Sequence, residues 1–173
     1  MGGQLFDTEG ILSMEFNKIA VKTAIAAGGV AAASVFAAAT ASAAPPTIQG
    51  FGTSEQLVAG PLVTNYTVGS LQPSSVMISG FTPKGKLYQA DITAKSDGGI
   101  VTPLVSDFNA RAANGQSYRV IDTVPVPNGL NPAPITQGGQ TSGMVYFDVT
   151  GQPPNAVVYN DGMQDVLMWT RNT

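Results

Sequence analysis

Histidine and cysteine are both absent from the chain. Without histidine there is no Ser-His-Asp or Cys-His catalysis, and the commonest general base and zinc ligand are missing. Without cysteine there is no disulfide, thiol nucleophile, thiolate metal site or iron–sulfur cluster. Charge is also scarce: Asp, Glu, Lys and Arg make up 11% of the 173 residues, against a usual share of about a quarter. Eleven Asp and Glu outnumber eight Lys and Arg, for a net charge of -3. Binding to a phosphate backbone needs a basic patch, so this composition argues against a nucleic-acid partner. Ser, Thr, Asn, Gln and Gly must dress the surface, which suits an extracellular β protein. Past the N-terminal segment no amphipathic helical run of useful length occurs, and the single tryptophan is Trp169.

What is present begins with a leader. Lys18 and Lys22 precede a low-polarity run from Ala24 to Ala39, which ends in Ala41-Ser42-Ala43 and Ala44-Pro45-Pro46. A basic region, an apolar region and an A-x-A site describe a secretory signal peptide. Cleavage after Ala43 and secretion are expected, with Met14 as a natural start just before the basic region. A membrane anchor or a buried alanine helix is the competing reading. The run is rich in Ala and Gly, however, and a permanent span needs about 20 strongly apolar residues. No second apolar run of spanning length follows, so no membrane span is expected after cleavage. Residues 1–43 are read as an N-terminal extension with the signal peptide, and residues 44–173 as one domain able to fold without staples. An exported chain without cysteine fits a bacterial source.

In the mature part, apolar and polar residues alternate in short runs. Pro45 to Gly52 reads as an extended lead-in, and Glu55 to Val58 as a short strand. Leu62 to Val68 places Leu62, Thr64, Tyr66 and Val68 on one face and ends at Gly69-Ser70. Lys86 to Ala94 points Tyr88, Ala90, Ile92 and Ala94 inward. Period two with β-branched residues and Gly- or Pro-bounded ends is the strand signature. Pro103 confines Ile100–Val105 to an edge or a connection. Asn114-Gly115 joins Phe108–Arg111 to Ser117–Ile121 as a hairpin. Thr123 to Gly139, rich in Pro, reads as a long surface loop. Val145, Phe147 and Val149 share a face of the next strand, a shorter one follows at Val157–Tyr159, and Asp165–Thr170 closes the chain with Trp169 as a core anchor. The VLMW run suggests burial on both faces of that last strand. Seven or eight such strands predict an all-β, antiparallel, immunoglobulin-like sandwich.

Motifs with chemical content are few. Gly80-Phe-Thr-Pro-Lys-Gly85-Lys86 has the G-x-x-x-x-G-K spacing, but Leu87 stands where a hydroxyl should hold Mg²⁺ and a strand follows. A phosphate loop needs that hydroxyl and a helix N-terminus, so a turn feeding a strand is expected. Asn160, Asp161, Gln164 and Asp165 offer oxygens for Ca²⁺ without the spacing of an EF-hand, and a turn is the plainer reading. Asp91, Asp107, Asp122 and Asp148 are the candidates for a glycosidase-type carboxylate pair. Scattered aspartates on the solvent faces of strands explain them better. Asn65-Tyr66-Thr67 fits a glycosylation sequon but falls inside a strand. No catalytic, cofactor-binding or metal residue is assigned, no cofactor is implied, and no enzymatic activity is expected.

Val101-Thr-Pro-Leu-Val-Ser-Asp-Phe-Asn-Ala-Arg111, Ser117-Tyr-Arg-Val120, Tyr146-Phe-Asp-Val-Thr-Gly151 and Asn160-Asp-Gly-Met-Gln-Asp165 with Trp169 resemble the small secreted immunoprotective antigen family of mycobacteria. Leu71-Gln-Pro-Ser-Ser75 and Gly85-Lys-Leu-Tyr-Gln-Ala90 fit as well, so the likeness covers nearly all of the mature part. The resemblance implies export and an immunoglobulin-like antiparallel sandwich. It implies no activity and no site residues. The Pro-rich Val124–Pro134 loop and the Arg171-Asn-Thr tail depart from it. The function expected is a secreted, non-catalytic binding module at or outside the cell envelope. Its partner would be a protein or another envelope or host component, and the sequence leaves the oligomeric state open. A carrier of a small apolar ligand is the alternative, built on Phe108, Tyr118, Tyr146, Phe147, Met163 and Trp169. A carboxylate hydrolase ranks last.

Overall fold

Alternating residues settle which side of each strand faces the core. The structure, a computed structural model, describes residues 45–171. The expected signal peptide, its cleavage after Ala43 and the Met14 start lie outside the described residues. Among the described residues there are nine strands: β1 (Thr47–Gly50), β2 (Ser54–Ala59), β3 (Leu62–Pro73), β4 (Lys86–Gly98), β5 (Phe108–Ala112), β6 (Ser117–Arg119), β7 (Gln140–Val149), β8 (Pro154–Asn160) and β9 (Asp165–Thr170). One 3-10 turn, Val105–Asp107, precedes β5. The strands form a five-stranded sheet, β1-β9-β8-β5-β6, and a four-stranded sheet, β2-β3-β4-β7. Packed face to face, they make an all-β immunoglobulin-like sandwich.

The inner faces meet as the alternation requires. Tyr88, Ala90, Ile92 and Ala94 of β4 are buried in one core with Val145, Phe147 and Val149 of β7. From the opposite sheet come Phe108, Ala110, Val157, Leu167 and Trp169. The expected hairpin forms between β5 and Ser117–Arg119, with Ala110 opposite Tyr118, while Val120 leaves it to bridge Phe147 of the other sheet; β5 lies beside β8. Val101 bridges Ile135, so Pro103 does sit in a connection.

Several features differ from the alternation pattern, each for a physical reason. The lead-in contains a strand: β1 pairs with β9 in parallel, Thr47 opposite Leu167, so the sandwich is not wholly antiparallel. Gly69-Ser70 does not end β3. It forms a bulge between Val68 and Leu71, and a β-carbon on Gly69 would lie 1.9 Å from Asp91 Oδ2. The Ser70 hydroxyl donates to Asp91 Oδ1 at 2.7 Å. The last strand is not equally buried on both faces: Leu167 and Trp169 are fully buried, while Val166 and Met168 are half-buried.

The Pro-rich segment is a strap over the β7 edge. The Met144 N–H donates to Asn128 O at 2.8 Å, and the Leu130 N–H to Met144 O at 3.1 Å. Gly143 permits this approach, since a β-carbon there would meet the Leu130 backbone at 2.5 Å. Leu130 and Ile135 enter the main core. Val124 and Val126 cover a second apolar cluster of Ile78, Leu87, Ile121 and Tyr146, on the outer face of β4 and β7. The Tyr146 hydroxyl donates to Pro127 O at 3.1 Å. Such a strap blunts the exposed edge of a sheet.

The two lateral sides of the sandwich close differently. At the β6 side, the Ile121 N–H donates to Tyr146 O at 2.8 Å and joins the sheets through the backbone. At the β2 side no strand pairing links the sheets. There the indole Nε1–H of Trp169 donates to Thr53 O at 2.9 Å.

Candidate functional site

The sheets part at one end, where the tip of the β2–β3 hairpin, the segment after β4 and the turn between β8 and β9 come together. A cleft of about 530 Å³ opens there, within the range of roughly 300–1,000 Å³ typical of small-molecule sites. Leu57, Val58, Leu62, Leu104 and Val166 make its apolar wall. Val58, Leu62 and Leu104 are exposed to solvent. Tyr66 and Tyr159 line it from the core side, and Asp107 and Asp161 supply its carboxylates.

The tyrosines are held rigidly. Their rings stack with centroids 5.3 Å apart at 27°. Phe108 packs edge-on against both, also at 5.3 Å. Aromatic pairs of this geometry contribute beyond their buried area. Burial pushes the Tyr66 hydroxyl up to about 12, partly offset by the Leu104 backbone amide. Burial raises Tyr159 further, reinforced by Tyr66, Asp107 and Asp161. Both tyrosines stay neutral at physiological pH and serve as hydrogen-bonding groups.

The Asn160–Asp165 turn is built by its own side chains. Asp161 Oδ1 accepts the N–H groups of Met163 and Gln164, both at 2.9 Å. Asn160 Oδ1 accepts the Gly162 N–H at 2.8 Å. Arg111 clasps Asp165 in a two-pronged pair of 2.7 and 3.0 Å, and the Asn160 amide donates to Asp165 Oδ1 at 2.8 Å. The turn therefore fixes one wall of the cleft, with Asn160 Oδ1, Asp161 Oδ1 and both Asp165 oxygens occupied internally. Among the described residues no group of three His, Cys, Asp or Glu could hold a metal ion.

The G-x-x-x-x-G-K spacing proves to be a turn. The backbone N–H groups of Lys84 and Gly85 donate to the Asp148 carboxylate, each at 2.8 Å. A side chain of this protein thus fills the place where a phosphate would sit. Of the aspartates considered as a hydrolytic pair, Asp107 alone lines the cleft. Asp91 and Asp148 point outward from β4 and β7, and Asp122 is exposed at the start of the strap. Asn65 and Thr67 flank the buried Tyr66 inside β3, as the strand reading required. Of the aromatic cluster considered for ligand carriage, Phe108, Tyr118, Phe147 and Trp169 are core, and Tyr146 belongs to the outer cluster. Met163 belongs to neither: it is 94% exposed at the tip of the turn.

Sequence reading passed over Tyr66, Tyr159 and Glu55 as site residues. Tyr66 carried a signal, because it shares its strand face with Thr64, a polar break in an otherwise apolar face next to the hairpin tip. Glu55 is 4% exposed on the inner face of β2, opposite Tyr66. Neither of its carboxylate oxygens has a hydrogen-bond partner. The Met168 backbone amide faces it without closing a bond, and burial outweighs that help and raises its pKa to about 7.

An all-β immunoglobulin-like sandwich with an apolar cleft at one end places the chain among small β-sandwich domains. Residues 46–169 match the family described as a domain of unknown function, DUF1942, and the chain belongs to that family. It is 40% identical to immunogenic protein MPT63 of Mycobacterium tuberculosis over 151 residues, 86% of this chain and 95% of that protein. The same figures hold for immunogenic protein MPB63 of Mycobacterium bovis. The crystal structure of MPT63, described as a secreted protein, superposes with a TM-score of 0.71 at 38% identity, covering 74% of this chain and 99% of that one. No catalytic function is named for these relatives.

Proposed function

We propose that the chain is a secreted, non-catalytic binding module whose contact site is the inter-sheet cleft. The cleft carries this reading: it is apolar, open to solvent and backed by two rigid, neutral tyrosines. The leader pattern and the secreted relative support secretion. The immunogenic and secreted descriptions of the relatives support a non-catalytic reading. The sandwich is shared by many unrelated functions, so the argument rests on the site and not on the fold. The ligand class that fits is a small molecule with an apolar chain, which the exposed Val58, Leu62 and Leu104 would cover.

Titration of the isotope-labelled mature chain with 1-octanol, followed by amide and methyl shifts, tests this. Saturable shifts centred on Val58, Leu62 and Leu104 are expected. Shifts absent from the cleft, or scattered over the surface without saturation, would sink the reading.

A further inference from the structure

The cleft has one sign of charge. Among its lining residues the ionisable groups are Asp107, Asp161 and the two neutral tyrosines, with no Lys or Arg. Neither carboxylate has an ion-pair partner: among the described residues the ion pairs are Lys95–Asp97 and Arg111–Asp165. Arg111 and Arg119 line a neighbouring polar hollow that shares Asp107 with the cleft. Arg111 is committed to Asp165 at 2.7 Å. The carboxylates that act on the Tyr159 hydroxyl, Asp107 and Asp161, both add negative potential at the back of the cleft. Low-dielectric walls focus such a potential toward the opening.

We infer that the cleft selects a cationic amphiphile: one apolar chain with a single ammonium head set between Asp107 and Asp161. This rests on the cleft being the binding site and adds the sign of the ligand's charge. The chain would lie along Leu57, Leu62 and Val166. The head would sit between the half-buried Asp107 and the exposed Asp161, which keeps it in reach of water and needs little desolvation. Tyr159, on whose hydroxyl both carboxylates act, would lie beside the head. An anionic amphiphile of equal length would meet both carboxylates as repulsion, which is how specificity is set against a competitor.

Three probes with the same chain separate the possibilities: octylammonium, octanoate and 1-octanol, titrated by calorimetry and chemical shift at neutral pH and low salt. Octylammonium should bind about tenfold tighter than 1-octanol, the size of effect that two solvent-screened charge pairs produce together. Octanoate should bind most weakly. The preference for octylammonium should shrink in high salt, where exposed charges are screened. It should vanish in the Asp107→Asn/Asp161→Asn variant, in which the amide introduced beside Asn160 keeps an oxygen for the Met163 and Gln164 N–H groups. If that variant does not fold, the salt dependence of the native chain still decides. Equal affinity for octylammonium and 1-octanol, or a preference unmoved by salt, would overturn the charge selection and leave the cleft as a binding site. No saturable binding of any probe would overturn the binding site itself.

Discussion

The two ends of β9 are held in opposite ways. At its start, Asp165 accepts two bonds from Arg111 and one from Asn160, while Arg111 Nε is buried without a partner. At its finish, Trp169 is sealed in the core and donates to Thr53, yet the neighbouring Glu55 carboxylate is buried without a partner. One end uses polar groups to fix a turn. The other relies on apolar burial strong enough to carry an unpaired acid beside it. The difference is between a carboxylate held by directed hydrogen bonds and a carboxyl held by burial, at the two ends of one strand.

Trp169→Ala should do most to break the comparison. Removing a fully buried indole should cost about 3–5 kcal/mol in chemical denaturation. A loss below about 1 kcal/mol would mean that the finish of β9 is not held by Trp169. Asp165→Ala comes next. It strands the guanidinium of Arg111, whose side chain is 25% exposed, and with solvent screening the expected loss is about 1–2 kcal/mol. A double-mutant cycle with Arg111→Ala checks that the loss belongs to the pair; additive losses would dissolve it.

The two acids should also respond to pH in opposite directions. Arg111 first, then Asn160, holds the Asp165 carboxyl below its ordinary range. Its contribution is present above the unfolded value and is lost as pH falls through the folded one. Glu55 is raised from 4.5 to about 7. The folded chain holds that proton while the unfolded chain has lost it, so Glu55 lowers stability as pH rises from about 4.5 to 7. Since β2 is an edge strand and water screens part of the cost, Glu55→Gln should gain about 1 kcal/mol at pH 8 and flatten this slope. A variant no more stable than the parent at pH 8, with the slope intact, would place the titration elsewhere. Met163→Ala should change stability least, by under about 0.5 kcal/mol, because the side chain touches little; a larger loss in thermal unfolding would show that the turn tip packs against something.

Much of the fold was legible because the inner strand faces keep strict period two. Tyr88, Ala90, Ile92 and Ala94, and Val145, Phe147 and Val149, could be assigned to the core from spacing alone. β1 was not legible: Thr47-Ile-Gln-Gly50 has little pattern, and a parallel partner some 120 residues away, Leu167 against Thr47, leaves no local trace. Gly69-Ser70 misled because a bulge and a strand end use the same residues. The strap hid its role because Leu130 and Ile135 are single apolar residues among prolines. The cleft was hardest to read. Tyr66, Tyr159, Asp107 and Asp161 come from separate segments that only the register of the sheets brings together. Glu55 was legible only as the start of a short strand, since nothing in Ser54–Ala59 marks which face of an edge strand turns inward.

The parallel β1–β9 pair has a mechanical consequence. The first and last strands run the same way, side by side, so the chain enters β1 at one end of the pair and leaves β9 at the other. Tension applied between the two ends would load that pair in shear, and its backbone bonds would have to fail together. An antiparallel pair pulled from one end would unzip bond by bond. Forced unfolding is governed by the barrier and not by equilibrium stability. A four-residue strand with almost no apolar pattern thus sets the direction in which the whole sandwich best resists being pulled apart.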